Sequence, residues 1–136
     1  MNTGHEGSLS TVHSNSPRDT ISRLETLCLM SGLDLPVRVI SKQIASSIQI
    51  IIQQARLSDG SRKVTHITEV QGMEGDTILL QDIFVFTQQG RTIDGDVIGE
   101  HVTTGYRPKC VRQMESMGFV LPKGLFQLAK LEEKAA

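Results

Sequence analysis

The residues of this chain best suited to chemistry fall in two short stretches, Thr3-Gly4-His5-Glu6-Gly7 and Ser10-Thr11-Val12-His13-Ser14-Asn15. Imidazole, hydroxyl and amide groups in a loop can donate and accept hydrogen bonds. A loop of this kind that runs into a helix N-terminus is suited to sensing a phosphate. Other chemistries fit less well. His5, Glu6 and His13 lack the HExxH spacing that puts two ligands on one helix face, so no metal ligand set is expected. The chain has no GxSxG turn and no cysteine–histidine signature of a nucleophile and its base. It also has no GxxxxGK[ST] loop to cradle the α- and β-phosphates of a nucleotide. The plain alternative is that His5 and His13 are ordinary loop histidines making local hydrogen bonds.

The surrounding pattern says which elements would position that loop. Ser8-Leu9-Ser10-Thr11-Val12 alternates polar and apolar side chains and predicts a short strand over 8–12. Ser16 can cap a helix that Pro17 opens, with Asp19 in its first turn, and Ile21, Leu24, Leu27 and Cys28 on one face until Gly32 ends it. This predicts a first helix over about 17–31. A second helix opens at Leu35-Pro36, with Val37, Ile40, Ile44 and Ile48 at helical spacing. The β-branched run over 49–57, the Asp59-Gly60 turn and the run over 63–70 predict a hairpin. A turn at 72–76 then leads to a strand over 78–86, which completes an antiparallel meander.

A strand, two helices and a strand make a crossover unit, which implies a parallel sheet with helices packed against it. In such sheets ligands gather beyond the carboxyl ends of the strands, and His13 would sit at one of them. Past Thr87, Asp94-Gly95 suggests another hairpin, Arg107-Pro108 opens a short helix ending at Gly118, and a charged helical tail runs from Leu128. The expected division is therefore 1–87 and an appendage over 88–136.

Composition narrows the function classes. The 136 residues suit one modest domain, and a net charge of −1 gives no basic footprint for nucleic acid. With no Trp and one Tyr, there is no base-stacking platform either. Cys28 and Cys110 are too few and too far apart for a disulfide framework and read as reduced cytosolic thiols. The apolar runs, Ile50-Ile51-Ile52 among them, fall far below the roughly 18 residues of a membrane span.

Taken together, TGHEGSLSTVHSNSPRDTISRL resembles the His box of the type II/type IV secretion ATPase superfamily. The likeness continues through SGLDLPVRVISKQIASSIQIIIQQARLSDGSRKVTHITEVQGMEGD, DIFVF and TGYRPKCVRQMESMGFVLPKGLF. These stretches are similar to the CpaF-type ATPases that assemble tight-adherence (Flp) pili, and the resemblance covers about residues 1–126. It implies an α/β fold that is part of a RecA-like P-loop ATPase core: the His-box strand, two helices and the meander, with a small hairpin and helix appended. It also implies that His13 reaches toward the γ-phosphate, supported by Ser14 and Asn15, and that His5 lies near the Walker B carboxylate. Arg23 matches a family position and either serves the nucleotide or stitches helix to loop.

The cofactors implied are ATP and Mg2+, and the partners are other subunits of a hexamer and an inner-membrane platform. The location implied is cytoplasmic, peripheral to that membrane through those partners. Family members also carry a Walker A lysine, an acidic Asp box and a Walker B glutamate, which this sequence lacks. The expectation is therefore a C-terminal portion of such a motor that does not turn over ATP alone, with an unpaired edge on the strand at 8–12. A non-catalytic module that binds ring subunits or the platform is the alternative.

Overall fold

The structure is a computed structural model and describes residues 7–32 and 34–128. Helix α1 spans Pro17–Met30. The Ser16 side chain accepts a hydrogen bond from the Asp19 amide at 3.1 Å, Pro17 takes the first helical position, and Asp19 lies in the first turn, as the sequence predicts. The chain leaves the helix through Gly32, whose φ of 78° is left-handed and suits glycine. Helix α2 spans Val37–Ser47 and turns Ile40, Ser41 and Ile44 inward, the one-sided spacing of an amphipathic helix.

Four strands follow: β1 (Ile50–Arg56), β2 (Arg62–Glu74), β3 (Thr77–Arg91) and β4 (Val97–Thr103). They form one sheet in the order β1-β2-β3-β4, with each neighbouring pair antiparallel. The short helix α3 (Cys110–Ser116) comes last. Both predicted Asp-Gly turns close hairpins: Gly60 sits at φ 86° between β1 and β2, and Gly95 at φ 90° between β3 and β4.

Helices α1 and α2 cover one face of the sheet. Ile21 from α1, Ile40 and Ile44 from α2, and Ile51, Val70 and Ile78 from the strands make a single buried cluster. Burying each such aliphatic side chain contributes about 1.5–3 kcal/mol. Around Glu69 the other face is covered too, because the chain after β4 folds back across it. The Glu69 carboxylate is 4% exposed and accepts hydrogen bonds from the Tyr106 hydroxyl and the Lys109 amide, each at 2.7 Å. Thr68, Glu69 and Val70 are therefore all buried in succession, which breaks the two-residue rhythm of a half-covered strand. Burial, and then the hydrogen bond to Glu69, pushes the Tyr106 phenol above its ordinary pKa. Burial and the same carboxylate raise the Cys110 thiol, and both Cys28 and Cys110 are free.

Three sequence expectations are corrected. Residues 8–12 form no strand: Leu9 is fully exposed and no ladder pairs with this segment among the described residues. Alternation makes a strand only where a sheet edge supplies hydrogen-bond partners, and this segment lies on none. The parallel crossover accordingly does not form, and the sheet is antiparallel throughout. Strand β3 also runs unbroken across position 87, longer than its expected 78–86, so the β3–β4 hairpin belongs to the same sheet as the meander. Residues 129–136, where the charged tail was expected, lie outside the described residues.

Candidate functional site

The loop before α1 is fixed by side chains from two elements. The Ser14 hydroxyl lies 2.6 Å from that of Thr20 on α1 and 3.3 Å from the Gln53 side-chain oxygen on β1. Gln53 returns a bond from Nε2 to the Ser14 carbonyl at 3.0 Å, and Thr20 Oγ1 donates to the Ser16 carbonyl at 3.1 Å. Gln53 and Thr20 are both buried, so each of these partners also spares the other a costly unsatisfied polar group. Among the described residues no buried side-chain nitrogen or oxygen is left without a partner.

With Ser14 drawn inward, its neighbours face solvent. His13 and Asn15 are exposed, and among the described residues neither side chain makes a hydrogen bond. The structure thus puts His13, Ser14 and Asn15 together on one short loop, at the mouth of α1 where backbone amides point outward. It does not bring Arg23 to them. Arg23 lies on the exposed side of α1, seven positions beyond Ser16, or about 10 Å along the helix axis. His5 lies outside the described residues.

Next to the loop is a cleft of about 220 Å³ lined by Ser16, Pro17, Arg18, His66, Thr68 and Asp82, together with Leu80. The Arg18 guanidinium donates to the Ile78 carbonyl at 2.6 Å, and the Thr68 hydroxyl donates to Asp82 at 2.6 Å. His66 is held by Thr65 Oγ1 at 3.0 Å from its Nδ1. Sequence reasoning missed Gln53, Arg18, His66 and Asp82. Their meeting depends on register: Thr68 faces Asp82 only because the β2–β3 ladder shifts between Ile67 and Thr68. A bulge of this kind leaves no period in the sequence. One signal was available, since Gln53 is a polar residue at a position where alternation along β1 demands a buried side chain.

Whether these residues fit a magnesium nucleotide is answered by the donor set. Among the described residues no group of three or more His, Cys, Asp and Glu side chains could hold a metal ion, and the sequence has no phosphate-cradling glycine loop. His13 and Asn15 offer an exposed imidazole and an exposed amide that can donate hydrogen bonds to an anion, and the described residues offer no ligand set for the metal. No hydrolytic step follows from them alone.

The class defined so far is an α/β unit, two helices on an antiparallel four-stranded sheet, with a polar loop at the head of the first helix. Residues 1–117 match the model of the type II/IV secretion system protein family, and the chain belongs to that family. It is also similar to conjugal transfer proteins from two strains of Mycobacterium tuberculosis, CDC 1551 and H37Rv. Each is 36% identical over 75 residues, covering 55% of this chain and 21% of the relative. The chain thus matches about a fifth of the length of these curated relatives. No helix among the described residues is long and apolar enough to cross a membrane.

Proposed function

We propose that this chain is the part of a secretion ATPase that supplies the γ-phosphate wall of the nucleotide site, on a portion of a RecA-like core. The observation that carries this reading is the loop geometry. Ser14 is pinned inward by Thr20 and Gln53, so His13 and Asn15 are presented outward at a helix N-terminus. The pinned backbone fixes where these two side chains project, and each is free to turn a hydrogen-bond donor toward a phosphate. The anchors also run to α1 and β1, so a change at the loop reaches the helical layer and the sheet directly.

In this reading ATP and Mg2+ are bound chiefly by residues this chain does not contain, and the chain alone does not turn over nucleotide. The resemblance favours the CpaF-type branch and a role in tight-adherence pilus assembly. The names of the mycobacterial relatives favour conjugal transfer, and the same loop serves either cargo. The setting would be the cytoplasmic side of an inner membrane, with other subunits and a membrane platform as partners.

The test joins this chain to a segment that carries a P-loop and Walker B residues from a relative, and measures phosphate release. The joined protein is expected to hydrolyse ATP, His13→Ala to lower the rate roughly 10²-fold, and Arg23→Ala to leave it near wild type. Equal rates for His13→Ala and the unaltered protein would remove His13 from the site. A second reading, a non-catalytic docking module, is favoured by the apolar side chains of Leu27, Leu29, Met30 and Val37, which are exposed on α1 and at the start of α2.

A further inference from the structure

Helix α2 and the β2–β3 turn enclose a groove of about 630 Å³ that no feature of the nucleotide loop uses. Val39, Ala45 and Met73 give it an apolar lining, and Arg38 and Lys42 give it a basic rim. Lys42 has no ion-pair partner among the described residues. Arg38 meets Asp76 at 3.3 Å through side chains 73% and 80% exposed, a loose surface pair of little net worth that can change partners.

The opposite end of β3 carries side chains of complementary character, one apolar and two acidic. The hairpin tip Thr92-Ile93-Asp94-Gly95-Asp96 holds Ile93 entirely in solvent. Neither the Asp94 nor the Asp96 carboxylate has a partner among the described residues. The tip is nonetheless well fixed: Thr92 N–H bonds the Asp96 carbonyl at 2.9 Å, Gly95 N–H bonds the Thr92 carbonyl at 3.0 Å, and Asp96 N–H bonds Thr92 Oγ1 at 3.0 Å. An apolar residue on a pre-ordered turn, followed by two acids, is a ready-made anchor, because little entropy is lost on docking.

We propose that the Ile93 tip of one copy of this chain seats in the α2 groove of a second copy, with Asp94 and Asp96 facing Lys42 and Arg38. The tip cannot reach the groove of its own chain. The two sites flank β3, whose 15 residues at about 3.3 Å each separate them by roughly 45 Å. The contact is therefore head-to-tail, and repeated it generates either a ring or an open filament. Its small area makes it weak for a single pair and effective when several such contacts close together. The proposal deepens the assembly part of the proposed function and rests on that reading for its biological setting.

The test isolates one contact by mixing two variants. A 15N-labelled Ile93→Asp chain, with its groove intact, is titrated with an unlabelled chain carrying Arg38→Glu and Lys42→Glu, with its tip intact, and no nucleotide is added. Saturable amide shifts are expected at Val39, Lys42, Ala45 and Met73, and affinity is expected to fall at least tenfold when the unlabelled chain also carries Asp94→Lys and Asp96→Lys. Three results would overturn the proposal: no shifts up to about 1 mM partner, shifts centred on another face such as Leu27–Met30, or shifts indifferent to the acidic reversal. The labelled spectrum reports folding directly, and Ile93→Ser replaces Ile93→Asp if the latter is misfolded. Because nucleotide is absent throughout, failure here and failure of the nucleotide reading are separately visible.

Discussion

Single residues decide how this sheet is closed, and Asp59 shows how. Its carboxylate accepts from the Ser61 hydroxyl at 2.6 Å, the Ser61 amide at 2.9 Å and, through its other oxygen, the Val97 amide at 2.7 Å. One side chain therefore joins the β1–β2 turn to the start of β4. The Ser61 hydroxyl, followed by the Val97 and Ser61 amides, holds the carboxyl at about pKa 2 against an ordinary 3.8. A carboxylate with a depressed folded-state pKa stabilises the fold above its unfolded value and loses that contribution as pH falls through the folded value. Urea melts of the wild type should accordingly weaken between about pH 4 and pH 2, and Asp59→Asn should flatten that part of the profile. An unchanged slope in the variant would mean that Asp59 is not the group responsible. At this scale the sequence was half legible. Asp59-Gly60 announced a turn because both types tolerate positive φ, but nothing local to Asp59 could reveal Val97 as a partner. Glu69 was illegible for the same reason, since its donors Tyr106 and Lys109 come from a segment that returns to the sheet only in the folded chain.

Elements were more legible where their signals are local. Ser16, Pro17, Asp19 and Gly32 mark both ends of α1, and the structure uses each in the expected role. The strand expected at 8–12 was misread because alternation is a property of the segment, whereas pairing depends on what lies beside it. Strand β3 outran its expected end because its partner β4 extends the ladder to Arg91, through residues too polar to suggest a strand. The β3–β4 pair makes a sharp prediction of its own. A Cβ on Gly99 would lie 2.5 Å from the Phe86 ring and 2.6 Å from the Thr87 carbonyl, whereas one on Gly90 would meet nothing within 4 Å. Gly99→Ala should therefore destabilise by about 1–3 kcal/mol, and Gly90→Ala should stay within about 0.5 kcal/mol of wild type, both read from denaturant melts. Equal effects of the two substitutions would refute the close β3–β4 approach at Gly99.

For the molecule as a whole, the sheet has helices on one face, a returning C-terminal segment over part of the other, and a polar loop at one corner. Its aliphatic core was legible from the isoleucines of α2 and β1, and its family from motifs spread along nearly the whole chain. The candidate site was legible only as a cluster of types, His13, Ser14 and Asn15. The structure adds a division of labour, with Ser14 holding the loop through Thr20 and Gln53 while His13 and Asn15 look outward. This sequence has no P-loop motif, so in the proposed reading most backbone amides that bind phosphate come from outside it, which makes the central claim quantitative. The most direct measurement is a titration of the purified chain and of His13→Ala with a fluorescent ATP analogue and Mg2+. The account predicts no saturation for either protein below about 1 mM nucleotide. Saturable micromolar binding by the wild type, lost in His13→Ala, would contradict it and show that this chain holds a complete nucleotide site of its own.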